Sequence, residues 1–334
     1  MSDKRRTFAV IDGNSLMHRA FHAVPPTMNA PDGRPTNAIF GFLNMFLKMI
    51  DAFNPDGVVV AFDKGKPRVR MEMLPQYKAQ RPPMDPDLHA QFPMIKELLV
   101  ALNVPILQSE GWEGDDILGT MARLGEEAGC DMLLVTGDRD MYQLVTEHVN
   151  VVSTRKGLSD VAIMTPESVD DLYHGITPAL VPDFYGLKGD TSDNIPGVPG
   201  IGEKTALALI SKFGSLQGVY DNIEDKAVKP GQRAKLTANR DKADLSYMLG
   251  TIRRDAPIET DPSAYIRRPG DPAAAAQLLA ALDILVDGEF VLAQRNLDLR
   301  FRGSENQRIL DVPQSLAQGR AVWCTAARWV GERQ

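Results

Sequence analysis

Gly111-Trp-Glu-Gly-Asp-Asp-Ile-Leu118 and, one helical stretch later, Met132-Leu-Leu-Val-Thr-Gly-Asp-Arg-Asp-Met-Tyr142 place five carboxylates at two element ends: Glu113, Asp115, Asp116, Asp138 and Asp140. Carboxylates this close repel one another, so a folded chain holds them only with water, basic side chains or metal cations around them. A pair of divalent cations is the specific solution. Acids before Ile117-Leu118 also suit an ordinary helix start, and Gly-Asp-Arg-Asp an ordinary polar turn, so neither motif decides the matter by itself.

Working outward, Phe8-Ala-Val-Ile11 runs into Asp12, and Gly57-Val-Val-Val-Ala-Phe62 runs into Asp63. Met132 to Val135 runs into Asp138 and Asp140, and Val104-Pro-Ile-Leu107 leads towards Glu113. Short uninterrupted apolar runs read as buried strands. The expected fold class is therefore α/β, with a mostly parallel sheet and flanking helices. In such a sheet the ligand crevice lies outside the carboxyl ends of the strands, where these acids converge from distant parts of the chain.

The 334 residues, 43% of them hydrophobic, can bury a sizeable core and suit two domains. No run approaches the ~20 apolar residues of a membrane span, and Met-Ser-Asp-Lys-Arg-Arg passes straight into a strand, so a cytoplasmic protein without membrane attachment is expected. Lys4-Arg5-Arg6 reads as a solvated tail. Cys130 and Cys324 lack metal-ligand spacing and form no disulfide framework. A net charge of -7 argues at first against a nucleic-acid partner. Setting aside the nine acids assigned to metals below tips the balance positive. Between 64 and 81, Lys64, Lys66, Arg68, Arg70, Lys78 and Arg81 face Glu72 alone.

After Asp12-Gly-Asn-Ser15 the spacing predicts a helix carrying Arg19, either a surface arginine or one that points back to the crevice. His18 and His22 have no partner at metal spacing and read as packing or surface residues. Thr36 to Ile50 is apolar at helix period and belongs to the core. The segment from about 64 to 92 reads as a binding loop or lid over the crevice. In it, Tyr77 beside Lys78 and Arg81 suits nucleic acid, the ring stacking on a base and the cations meeting phosphate; the plainer reading is a solvated charged helix. A helix is expected from Gly111 to about Gly129, a strand at Val149–Val152, and a helix start at Thr165-Pro166.

Farther on, Gly197-Val-Pro-Gly-Ile-Gly202 is no helix interior. It predicts a tight hairpin between two helices, whose backbone N–H groups, with Lys204 and Thr205 just beyond, can hold a phosphate. It resembles the helix-hairpin-helix DNA-binding element. Asp190 and Asp193 precede it. Asp271 to Leu285 reads as an Ala-rich helix, and from Asn296 onward no motif stands out; Val322-Trp-Cys324 and Arg328-Trp-Val330 are short apolar patches. The expected division is 1–175, 176–290 and a tail over 291–334.

Seven stretches in order resemble one family: Ile11-Asp-Gly-Asn-Ser-Leu16, Thr36-Asn-Ala-Ile-Phe-Gly-Phe42, Ala61-Phe-Asp63, Tyr77-Lys-Ala-Gln-Arg81, Glu113-Gly-Asp-Asp-Ile117, Thr136-Gly-Asp-Arg-Asp140, and Leu187 through the glycine hairpin to Ala206. From residue 7 to about 290 the chain is similar to the 5′ nuclease (5′-3′ exonuclease, flap endonuclease-like) domain that opens bacterial DNA polymerase I. The resemblance implies a PIN-like core, a helical arch at about 64–92 that threads single-stranded 5′ ends, and a helix-hairpin-helix region that grips duplex DNA.

By that resemblance Asp12, Asp63 and Glu113 lie nearer one Mg²⁺, and Asp138, Asp140 and Asp193 nearer a second. Asp115 lies between them, and Asp116 and Asp190 act through water. Mn²⁺ is expected to substitute. Lys78, Arg81 and Asp115 are the expected catalytic groups. Arg19, Arg70, Tyr77, Lys78 and Arg81 are the expected DNA contacts, with Gly197, Val198, Gly200, Ile201, Gly202, Lys204 and Thr205 at the hairpin, where K⁺ sits on backbone oxygens. Trp112, Gly114 and His22 depart from the usual residues without removing a ligand. The implied activity is two-metal hydrolysis of DNA, and of RNA primers, at 5′ ends, nicks and flaps during replication and repair, by a nucleoid-associated monomer with a DNA polymerase as partner. A PIN-type single-strand RNase would have no use for the hairpin, and a non-catalytic DNA-binding protein no use for nine retained acids.

Overall fold

The computed structural model describes residues 5–30, 33–156, 160–270, 284–287, 308–318 and 320–325. It divides into two compact units. The first comprises Met1–Ala30, Arg34–Lys96 and Val104–Arg267; the second comprises Pro31–Gly33, Glu97–Asn103 and Arg268–Gln334.

The first unit is built on a six-stranded sheet: β1 (Thr7–Asp12), β2 (Gly57–Ala61), β3 (Ile106–Leu107), β4 (Asp131–Thr136), β5 (Val149–Lys156) and β6 (Asp160–Met164). The spatial order is β3-β2-β1-β4-β5-β6, with β6 antiparallel and the others parallel. The apolar runs of β1 and β2 are buried on both faces, as central parallel strands must be. The chain moves outward from β1 to β3 and then crosses back to lay β4 on the other side of β1. That reversal makes the carboxyl end of β1 a topological switch point, where crevices form.

Helices α1 (Gly13–Ala23), α2 (Asn37–Phe53), α3 (Arg68–Met73), α4 (Pro86–Ala101) and α5 (Gly114–Glu127) alternate with the first strands. Asp12 caps α1 by accepting a hydrogen bond from Ser15 N at 2.9 Å, so the strand's last residue starts the helix. Gly13 has to be glycine: a Cβ there would sit 2.4 Å from the Phe62 ring. After β6 come α6 (Pro166–Leu172), capped by Thr165, α7 (Val181–Lys188), α8 (Glu203–Phe213), α9 (Leu216–Asp221), α10 (Pro230–Ala238) and α11 (Arg240–Gly250). The α7 and α8 pair flanks the expected glycine hairpin. Gly197 takes a left-handed φ of 56° there, and a Cβ on it would meet Gly189 N at 2.4 Å.

In the second unit β7 (Ile284–Asp287) pairs antiparallel with β8 (Arg308–Asp311), followed by a helix over Val312–Gln318. The helix expected over Asp271 to Leu285 lies outside the described residues as far as 283, and its last two residues are corrected to strand. Ile284-Leu-Val286 is a short apolar run between aspartates, and it finds a ladder partner in Arg308–Asp311. Trp323 bridges to Leu310, which places the Val322-Trp-Cys324 patch within this unit. Arg328-Trp-Val330 lies outside the described residues. Both cysteines are free and buried.

Candidate active site

The carboxyl ends of β1, β2 and β4 deliver Asp12, Asp63 and Asp138 side by side, because β1 pairs with both other strands. Asp12 is held from two sides, by Ser15 N and by the Thr136 hydroxyl, which donates to Oδ2 at 2.8 Å. Asp63 accepts from Gly114 N at 2.7 Å, so the end of β2 caps the helix that presents Glu113 and Asp115. Asp138 Oδ1 accepts from Asp140 N at 2.9 Å, which folds the Gly-Asp-Arg-Asp turn around it. Asp190 Oδ1 accepts from Ser192 N at 2.7 Å, and Asp193 is buried.

The crowding shows in the titration of these groups. Burial pushes Asp12 up to about 7, assisted by the charges of Asp63 and Asp138. Burial and Asp138 push Asp140 up to about 8. Asp115 is raised well above the carboxylate range by burial and by Asp12 and Asp138, and Asp138 is raised by burial with Asp193 and Asp190 contributing. Mutually repelling hard oxygen donors at one crevice fit a divalent cation of the Mg²⁺ or Mn²⁺ type. Among the described residues, no three His, Cys, Asp or Glu side chains stand ready to close on a metal in this arrangement. Basic side chains from the segment between β2 and α4 hold several of the oxygens instead.

Arg70, Tyr77, Lys78 and Arg81 supply those contacts. Lys78 pairs with Glu113 Oε1 and stands 3.5 Å from Asp193 Oδ2, and Arg81 pairs with Asp193 Oδ1. Burial works to lower Lys78, but the charges of Glu113 and Asp193 outweigh it and hold the ammonium above the ordinary lysine range. The expectations for Arg70 and Tyr77 need correction. Arg70 is buried and spends all five N–H donors internally: on Leu249 O at 3.1 Å, Glu113 Oε2 at 2.7 Å, Asp116 at 2.7 and 2.8 Å, and Thr251 O at 3.3 Å. No donor remains for a phosphate. Asp116 gives both oxygens to Arg70 and accepts from Arg253 N at 3.0 Å, so its carboxylate is held in a salt bridge. Tyr77 buries its ring with Ile195 and Leu249, and its hydroxyl reaches Glu113 at 3.3 Å and Asp193 at 3.2 Å; the ring offers no stacking face.

Arg19 lies half-exposed on α1. At the hairpin, Val198 and Ile201 are buried anchors at 2% and 3% exposure, while Gly200, Gly202 and Lys204 are exposed. Gly197 N donates to Ser246 Oγ at 2.9 Å, and Thr205 N bonds Gly202 O at 3.0 Å in the first turn of α8. Several supporting residues escaped the sequence reading. Ser15, Thr136 and Asn194 stand inside the motif stretches already quoted, which was the available signal. Tyr185, a hydrogen-bond partner of Asp140 from α7, carried none.

An acid cluster at the carboxyl edge of a parallel sheet, with basic side chains of the segment between Arg70 and Arg81 upon it and a glycine hairpin between helices in the same unit, defines the layout of a nuclease. The chain belongs to the 5′-3′ exonuclease family: residues 7–174 match the family's N-terminal resolvase-like domain and residues 176–273 its C-terminal SAM fold. It is 44% identical over 257 residues to DNA polymerase I of Bacillus caldotenax and 42% identical over 260 residues to that of Bacillus subtilis, covering 76% and 78% of this chain. It spans about 29% of the length of those relatives. The fold is similar to that of T5 5′-exonuclease with bound divalent metal ions (zinc), at TM-score 0.61 and 21% identity, over 83% of this chain and 93% of that one. It is also similar to the catalytic core of Rad2 in complex with DNA substrate, at TM-score 0.56 and 18% identity, over 82% of this chain and 87% of that one. Residues 263–310 also match a 4Fe-4S single cluster domain; that stretch has no cysteine, and such clusters are held by cysteine thiolates, so no cluster follows.

Proposed function

We propose that this chain is a structure-specific 5′ nuclease that hydrolyses phosphodiesters of DNA, and of RNA primers, at 5′ ends, nicks and flaps. The observation that carries the reading is the convergence of Asp12, Asp63, Glu113, Asp115, Asp138, Asp140 and Asp193 on one crevice, with Lys78 and Arg81 reaching into it. A pair of divalent cations, Mg²⁺ with Mn²⁺ able to substitute, supplies Lewis-acid stabilisation of the phosphate and a more acidic water when bound. Asp12, Asp63 and Glu113 would hold one cation and Asp138, Asp140 and Asp193 the other, with Asp115 between them and Asp190 acting through Ser192 and water. Lys78 and Arg81 pair here with Glu113 and Asp193 and would exchange those carboxylates for the substrate phosphate. They then face the scissile phosphate as negative charge builds there.

The core over 1–175 supplies all of these acids except Asp190 and Asp193, and the region 176–290 supplies those two and grips the duplex, with the hairpin backbone at Gly200 and Gly202, Lys204, Thr205 and a K⁺ ion at the phosphates. Arg19 adds a phosphate contact. The setting proposed is the bacterial cytoplasm at the nucleoid, as a monomer acting beside a DNA polymerase.

The test is single-turnover cleavage of a 5′-labelled flap on nicked duplex, compared with the same single strand, in Mg²⁺ and in EDTA. Metal-dependent cutting near the flap junction with the single strand spared is the expected result. Preferred cutting of the single strand moves the reading to a PIN-type RNase, and tight flap binding without cutting to a non-catalytic DNA-binding protein.

A further inference from the structure

The turn that carries Lys78 has an unusual conformation. Lys78 takes a φ of +57°, in the left-handed region that costs an ordinary side chain and persists only where its surroundings dictate it. Its N–H donates to Asp193 O at 3.0 Å, so the turn lies on the loop that holds Asp190 and Asp193. That loop is a firm base. Asp190 and Ile195 exchange backbone hydrogen bonds at 3.0 and 2.7 Å, and Ile195 packs with the Tyr77 ring.

One side chain of this loop grips the turn on both sides of Lys78. Asn194 Nδ2 donates to Gln76 O at 2.8 Å, and Asn194 Oδ1 accepts from Gln80 Nε2 at 3.0 Å. A side-chain amide carries its donor and its acceptor on separate atoms of one short stem, so it can bond two partners on either side at once. Asn194 is itself left-handed, with φ of +59°, a conformation that asparagine tolerates better than most residues.

We propose that Asn194 is a positioning residue for the reaction: its amide clamps the Gln76–Gln80 turn so that the Lys78 ammonium is held over Glu113 and Asp193, where the phosphate is to be met. The proposal rests on the role given to Lys78 above. It assigns no contact between Asn194 and substrate or metal.

The experiment compares N194G, which keeps the left-handed backbone and removes the amide, with N194D, which keeps the acceptor for Gln80 and loses the donor to Gln76. Single-turnover flap cleavage is measured in Mg²⁺, flap affinity in Ca²⁺, and amide hydrogen exchange across residues 74–81. N194G is expected to cut about ten to a hundred times more slowly, a loss typical of a misplaced catalytic group, with affinity within about threefold of wild type. Exchange in the turn should quicken. N194D should fall between the two, and N194G added to K78A should slow cleavage no further, since Asn194 acts through Lys78.

A wild-type rate and exchange pattern in N194G overturn the proposal, as does a full additional loss on the K78A background. K78A cutting at the wild-type rate removes the role of Lys78 and the proposal with it. A slow K78A beside a normal N194G removes the proposal alone.

Discussion

The hydroxyl of Thr136, at the end of β4, donates to Oδ2 of Asp12, at the end of the neighbouring β1, at 2.8 Å, and the hydroxyl oxygen itself, Thr136 Oγ1, accepts from Asp138 N at 3.2 Å. One hydroxyl therefore ties two of the crowded acids to each other across the sheet. Replacing Thr136 by valine keeps the shape and removes both bonds, leaving a buried carboxylate oxygen short of a donor. The expected cost is about 1 to 3 kcal/mol in urea unfolding. Mn²⁺ affinity should weaken by about tenfold or more, as when the partner of a metal-binding group is lost, and Thr136→Ser should restore both. Calorimetric titration with Mn²⁺ is the check.

The raised acids make the metal-free protein sensitive to alkali. Asp12 titrates at about 7 and Asp140 at about 8 in the folded chain, against 3.8 for an unperturbed aspartate, so the folded state binds more protons than the unfolded state between those values. Their contribution is most favourable below pH 4 and is lost as pH rises towards 7 and 8. In EDTA, the unfolding free energy should fall between pH 6 and pH 8 by on the order of 1 kcal/mol per unit. Asp140→Asn should flatten the slope, and Mg²⁺ should reverse it. A slope that is flat in EDTA and unchanged in Asp140→Asn contradicts the crowding described above.

Arg70 is expected to behave as a structural cation. Arg70→Met strands Glu113 and Asp116 in a buried setting and should destabilise the fold by about 3 to 5 kcal/mol. Arg70→Lys should recover only part, because three donors replace five in a fixed fork. A stability near wild type with weakened DNA affinity would instead restore the phosphate role expected from sequence.

Asp138→Asn should abolish flap cleavage, with the rate reduced by several orders of magnitude, while duplex affinity in Ca²⁺ stays near wild type. The mutant also relieves the neighbours: Asp140 loses the charge of Asp138, so its carboxyl should titrate lower. NMR of the carboxyl carbons reads that shift directly.

Lys204 stands exposed at the start of α8, just past the hairpin. Lys204→Ala should weaken duplex binding and reduce the slope of log affinity against log salt by about 0.9, the value for one phosphate contact. Equal slopes for the two proteins exclude it as a contact.

Much of this site was legible because its acids follow apolar runs. Phe8–Ile11 and Gly57–Phe62 could be buried strands and little else, and strands of one parallel sheet bring their carboxyl ends together, so Asp12 and Asp63 were predictable neighbours of Asp138. What pattern could not show was the division of labour among charges. Arg70 stands in the same basic run as Lys78 and Arg81 and looks equally available for phosphate. Only the fold reveals that the carbonyls of Leu249 and Thr251 and the Asp116 carboxylate absorb its fork. The partner of Asp116 lies 46 residues earlier and was invisible for the same reason. Tyr77 beside Lys78 suggested stacking, because a sequence does not say which side of a turn faces inward. The strand at Ile284–Asp287 was taken for a helical end because its partner, Arg308–Asp311, lies beyond any local window.

The internal bonds of Arg70 reach forward to Leu249 and Thr251, and the turn that carries Lys78 leans on Asp193, all of them far later in the chain than Asp12 and Asp63. A growing chain therefore carries its earliest acids long before the segments that orient Glu113 and Lys78 have been made. A chain that stops short of Asp193 carries eight of the nine acids but lacks the carbonyl on which the Lys78 turn is hung: the acids are made first, and the frame that orders the basic side chains around them last.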